Sequence, residues 1–71
     1  MERSEREKWI IGILDANGGA VWKSALIARA LGHGMSHTAA YDLVNGLVGS
    51  GLATEVKHQG HRTIVLVRQG P

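Results

Sequence analysis

Four glycine-bearing breaks constrain this chain more than any other feature of its sequence. They fall at Asn17-Gly18-Gly19, Gly32-His33-Gly34, Gly49-Ser50-Gly51 and Gln59-Gly60. Glycine enters the left-handed backbone region without steric cost, so each break reads as a helix stop or a tight turn. Between the breaks there is room for one or two short elements at a time. Ser4 followed by Glu7 has the spacing of a capping box and predicts a helix carrying Trp9, Ile10, Ile11, Ile13 and Leu14. "AVW", residues 20–22, reads as a short strand. Ser24 is the expected cap of a brief helix, "ALIARAL", in which Ile27, Ala28 and Leu31 share a face. Ser36 is the expected cap of the next, where Ala40, Leu43, Val44 and Leu47 fall at helical spacing. Past Gly51, "LATEVKH" and "HRTIVLV" are β-prone runs joined through Gln59-Gly60 as a hairpin. With His58 opposite His61, Val56 faces Thr63, Thr54 faces Val65 and Leu52 faces Val67. That set is read as the inner face, with Ile64 and Leu66 on the other side.

The whole chain of 71 residues is read as one domain, with no cysteine to reinforce it and its only proline at the last position. So short a chain buries little more than half of its unfolded surface, which makes a second subunit a reasonable expectation. The five large apolar residues between Trp9 and Leu14 exceed what one small core needs. The surplus, notably Trp9 and Ile11, points to a homodimer through the N-terminal helix; burial under the chain's own hairpin explains it nearly as well. No apolar run approaches the roughly 18 residues that a membrane crossing needs. The segment after "MERSEREK" is too short and interrupted for a secretory signal, so a cytoplasmic protein is expected.

Net charge is +2, and its distribution says more than its sum. The first eight residues mix three acids with three bases, as on a solvated helix face. From residue 57 onward only bases occur: Lys57, Arg62 and Arg68, with His58 and His61 beside them. This bias favours an anionic partner.

Helix, short strand, helix, helix and hairpin is the element order of an α+β winged helix-turn-helix: three helices, a short first strand and a C-terminal two-stranded wing. Residues 18–67 resemble the winged helix-turn-helix of small transcriptional regulators of the MarR and ArsR types. The resemblance is carried by Leu31-Gly32, Ser36, Ala39-Ala40, Val44, Leu47 and Gly51-Leu52, with Gly60 at the wing tip. It places the helix-turn-helix at about 24–50 and the wing at about 52–68. His33-Gly34 makes the turn about two residues longer than the family pattern.

The resemblance implies that the helix beginning at Ser36 meets double-stranded DNA. Opposite its buried side lie Thr38, Asp42, Asn45 and Gly49, with His37 and Tyr41 alongside. His37, Thr38, Tyr41 and Asn45 can hydrogen-bond to bases or phosphates, and asparagine suits the adenine edge. Yet the helix has no lysine or arginine, and its one charge is Asp42. Phosphate attraction is therefore expected from the wing, through Lys57, His58, Gln59, His61 and Arg62, with Lys23 and Arg29 available nearby. An ordinary exposed polar helix and a merely solvated hairpin tip are the bland alternatives.

Other chemistry finds less support. His33 and His37, or His58 and His61, have spacings that suit Zn(II) or Ni(II), but no carboxylate or cysteine stands beside them. No metal or cofactor is expected. Asp15, Asp42 and Glu55 lie on separate elements, and the serines fall at expected helix ends, so catalysis is not expected either. The rival functions are a winged helix used for protein contact and a low-specificity architectural DNA binder.

Overall fold

The computed structural model describes residues 2–67, so Arg68 lies outside the described residues. It contains α1 (Arg3–Ala16), β1 (Ala20–Trp22), α2 (Lys23–Gly32), α3 (His37–Gly49), β2 (Ala53–His58) and β3 (His61–Leu66). The strands form one antiparallel sheet in the order β1-β3-β2. The result is a small α+β arrangement of three helices and a three-stranded sheet, compatible with the winged-helix layout expected from the sequence.

All three helices stop by the same device. The residue after the C-cap is a glycine with positive φ: Gly18 at 80°, Gly34 at 98° and Gly51 at 83°. The next N–H then reaches back five residues to a carbonyl otherwise left without a partner. Gly19 donates to Leu14, Met35 to Ala30 and Leu52 to Leu47, at 2.7, 3.1 and 3.0 Å. Met35 is also buried, which fixes the entry into α3.

The helix starts divide. Ser36 caps α3 as expected, its Oγ accepting from the Ala39 N–H at 3.1 Å. Ser4 and Ser24 are not caps. α1 begins one residue earlier than Ser4, with Glu2 as its N-cap and no side-chain cap bond. α2 begins at Lys23 with Trp22 as N-cap, again without a side-chain bond. Strand β1 runs directly into α2, so no loop residue is free to turn a hydroxyl back onto the first turn.

The core draws on every element except β1. Ile10 and Leu14 come from α1, Leu26, Ile27 and Ala30 from α2, and Ala40, Leu43, Val44 and Leu47 from α3; Ala53 and Ile64 close it from the sheet. On α2 this corrects the expected face: Leu26 and Ala30 lie inside with Ile27, Leu31 is half-buried, and Ala28 is exposed. The α1 surplus is largely used within the chain. Trp9, Ile11 and Ile13 are half-buried against the core, and Trp9 stacks on His33 with ring centroids 4.4 Å apart. Among the described residues, the exposed large apolar side chains are Trp22, Tyr41, Val56 and Val67, none of them on α1.

The hairpin register is the expected one, with His58 opposite His61, Val56 opposite Thr63 and Thr54 opposite Val65. Leu52 accepts from the Val67 N–H at 2.9 Å, extending that register. The face assignment is reversed. Ile64 is fully buried and Ala53 is 2% exposed, whereas Val56 is 43% and Val67 42% exposed. The helices pack on the Ile64 side, and the valine side faces outward. At the tip, Gln59 and Gly60 both have positive φ, 51° and 80°, the signature of a type I′ turn.

Candidate nucleic-acid interface

Of the sequence-expected site residues, the structure brings Tyr41 of α3 and His61 and Arg62 of the wing around one cleft beside the start of α2. Ser36, His37 and Thr38 are exposed at the start of α3, and Tyr41 and Asn45 are exposed further along it. Across from Tyr41 stands the wing tip. Between them lies a cleft of about 320 Å³ lined by Lys23, Ser24, Tyr41, Gly60, His61 and Arg62. It is an open trough, with an aromatic ring on one wall and a guanidinium on the other.

Strand alternation divides the wing cluster in two. Lys57 pairs with Arg62 in register, one step from the pair of Glu55 and buried Ile64, so both project toward the helical side. His58 and His61 belong to the outer-face register. There His61 lies flat against Trp22, ring centroids 4.0 Å apart and planes within 8°. Gln59 and Gly60 form the turn between these sets. Lys57, His58, Gln59, His61 and Arg62 are all exposed.

Lys23 is the unexpected centre. Its ammonium lies 2.9 Å from Glu55 Oε1 and donates to Asn45 Oδ1 at 3.1 Å. It also sits 5.8 Å from the centre of the Tyr41 ring. Its side chain is only 15% exposed. Instead of standing free for phosphate, Lys23 ties α2, α3 and β2 together. Arg62 approaches the other Glu55 oxygen at 3.7 Å, while its own side chain stays mostly in solvent. The hydrogen bond from Lys23 holds the Glu55 carboxyl below the usual glutamate range, with the Lys23 and Arg62 charges adding to it and partial desolvation opposing. Glu55 was not singled out by sequence. The hairpin register puts it one cross-strand step from Arg62, a signal that was readable, but nothing in the sequence joins it to Lys23.

Asp42 lies on a different side of α3. With Arg6, Glu7, Ala39 and Leu43 it lines a groove between α1 and α3. The negative charge on α3 therefore faces α1, away from the Tyr41 trough. Of the two histidine pairs, His33 lies against Trp9, while His58 stands opposite His61, whose ring lies against Trp22. Among the described residues no three histidine or carboxylate groups converge on a metal position. No helix among them is long and apolar enough to cross a membrane.

Neither a protein-family model, a curated protein nor a solved structure matches this chain.

Proposed function

We propose that the chain is a winged helix-turn-helix that binds double-stranded DNA, acting as a small transcriptional regulator. The observation that carries this reading is the trough in which the exposed side of α3 and the wing tip face each other, with Tyr41 and Lys23 opposite Arg62. Ser36, His37, Thr38 and Tyr41 sit at the end of α3 that enters a major groove in such folds. Lys57 and Arg62, projecting to the same side, supply the phosphate attraction that α3 lacks. Gln59 at the tip and His58 and His61 behind it extend the contact along the backbone.

Asn45 plays a modified part. A bidentate contact to adenine needs the amide oxygen as acceptor and the amide nitrogen as donor. Lys23 already occupies that oxygen. Asn45 therefore keeps its two N–H donors and one oxygen lone pair for a base, with its orientation fixed by Lys23.

Fluorescence anisotropy with labelled duplexes, random and selected, at two salt concentrations tests the proposal. Arg62→Ala should weaken binding to every sequence and lower the salt slope by about one unit. Asn45→Ala should leave the slope unchanged and relax one position of a selected site by about 1–3 kcal/mol. A wild type with no salt-dependent binding to any duplex refutes the reading. The rival, a winged helix used for protein contact, is favoured by one specific observation: the apolar outer face of the sheet.

A further inference from the structure

The outer face of the sheet breaks the usual rule for an antiparallel sheet with one solvated side, where alternate residues facing water are polar. Cross-strand rows on that face read Trp22–Thr63–Val56 and Ala20–Val65–Thr54, continued by Val67. None of these side chains is charged, and threonine is the only polar type. Trp22, Val56 and Val67 stand 48%, 43% and 42% exposed. Thr63 is buried even though it lies on the outward side, because Trp22 and Val56 flank it. The indole is also held in place by its stack on His61.

We propose that a second copy of this chain covers this face, forming a two-fold dimer through the back of the sheet. The inference is independent of the DNA reading. Charge selects the occupant: a nucleic acid or an acidic lipid surface needs cations, and the rows carry none. An isologous contact, by contrast, sets each residue against the same neutral patch, so neither like charges nor unpaired ones are brought together. Size agrees. Six residues on each of β2 and β3 and three on β1, at about 3.4 Å per residue and about 4.8 Å between strands, give a footprint on the order of 250 Å². Side-chain relief adds to this, and the total stays well below the ~800 Å² per partner of a standard interface. An interface of that size belongs with the weak, reversible ones. Trp22 is its anchor, since a large aromatic fixed in place loses little conformational freedom when covered. The buried helical core lies on the other face, so α3 stays open in the dimer.

The test is sedimentation equilibrium of the full chain without DNA, from about 1 to roughly 500 μM, a range suited to a weak, reversible association. Wild type should pass from monomer to dimer across that range. Val56→Lys, at a site already exposed, should remain monomeric with an unchanged far-ultraviolet spectrum. Ile11→Gln on α1 should dimerise as wild type does. A second readout needs no charge on the face: in Trp9→Phe, Trp22 is the only tryptophan, and its emission should shift to the blue as concentration rises. A wild type monomeric throughout overturns the proposal, as does association that survives Val56→Lys or a Trp22 emission independent of concentration. Dimerisation without DNA binding would leave this inference standing and remove the proposed function; DNA binding by a strict monomer would do the reverse.

Discussion

Ile64 and Val65 are neighbours on the central strand with opposite environments, and replacing each by alanine tests the orientation of the whole sheet. Ile64 is fully buried, part of a core to which all three helices contribute. Buried isoleucine-to-alanine changes cost about 2–5 kcal/mol, and the upper part of that range applies where the surroundings cannot collapse into the gap. Three helices and a sheet meeting in one small core leave little freedom to collapse, so about 3–4 kcal/mol is expected. Val65 is half-buried on the outer face. It loses two methyl groups at about 0.8 kcal/mol each when fully buried, discounted for exposure, plus part of the strand preference of valine. About 1 kcal/mol results. A chain of this length holds roughly 4–10 kcal/mol in total. Ile64→Ala should therefore lower the melting temperature by roughly 12–30 °C, and Val65→Ala by roughly 5 °C. Urea unfolding followed by circular dichroism, at a few micromolar so that self-association does not contribute, measures both. If Val65→Ala costs as much as Ile64→Ala, the strand faces the other way and the packing described above is wrong.

Ser36→Ala should destabilise the fold by about 1 kcal/mol through the lost cap, whereas Ser4→Ala and Ser24→Ala, inside their helices and without cap bonds, should stay within about 0.5 kcal/mol of wild type. Thermal melts of the three variants, each at the same concentration, make the comparison. Because the folded-state pKa of Glu55 lies below its unfolded value, its contribution is complete at neutral pH and is lost as pH falls below about 4.5 toward the folded value. Urea midpoints between pH 3 and 7 should thus fall less steeply on the acid side in Glu55→Gln than in wild type, and equal slopes would remove Glu55 from the account.

The element boundaries were legible because glycine marks helix ends by backbone sterics alone, a local rule that tertiary packing rarely overrides. Caps were less legible. Ser4 and Glu7 have capping-box spacing, but the spacing does not say where the helix begins, and the helix starts ahead of Ser4 with the Arg6 N–H donating to the Glu2 carbonyl at 2.9 Å. Ser24 lost its place because Trp22 is still paired with Thr63 when the helix opens. The hairpin shows the limit most clearly. Register followed from the turn, but β3 carries apolar residues on both faces, so period-two alternation could not choose between them. On β2, Val56 looked inward and Glu55 outward by residue type. The helices decide otherwise: Ala53 is small enough to lie beneath them, and Glu55 is tolerated on their side because Lys23 and Arg62 neutralise it.

That same neutralisation bears on why α3 has no cation of its own. A lysine or arginine at Tyr41 or Asn45 would stand beside Lys23 with only one carboxylate to balance both. The sequence shows the polar residues of α3 and the bases of the wing, but not that one lysine from α2 already provides the positive charge between them. Glu55 holds that lysine against the sheet, and Arg62 reaches the same carboxylate from the other side. A phosphate entering the trough competes with Glu55 for both cations, so its gain in attraction is partly offset by the ion pairs it disturbs. The trough is thus weakly attractive by construction, and on the proposed reading discrimination would rest on hydrogen bonds from Tyr41, Thr38, His37 and the amide of Asn45. On the DNA-binding reading proposed above, such a chain would bind with a shallow salt dependence and would gain strength by presenting two troughs at once. The proposed dimer through the charge-free back of the sheet would supply that while leaving α3 open.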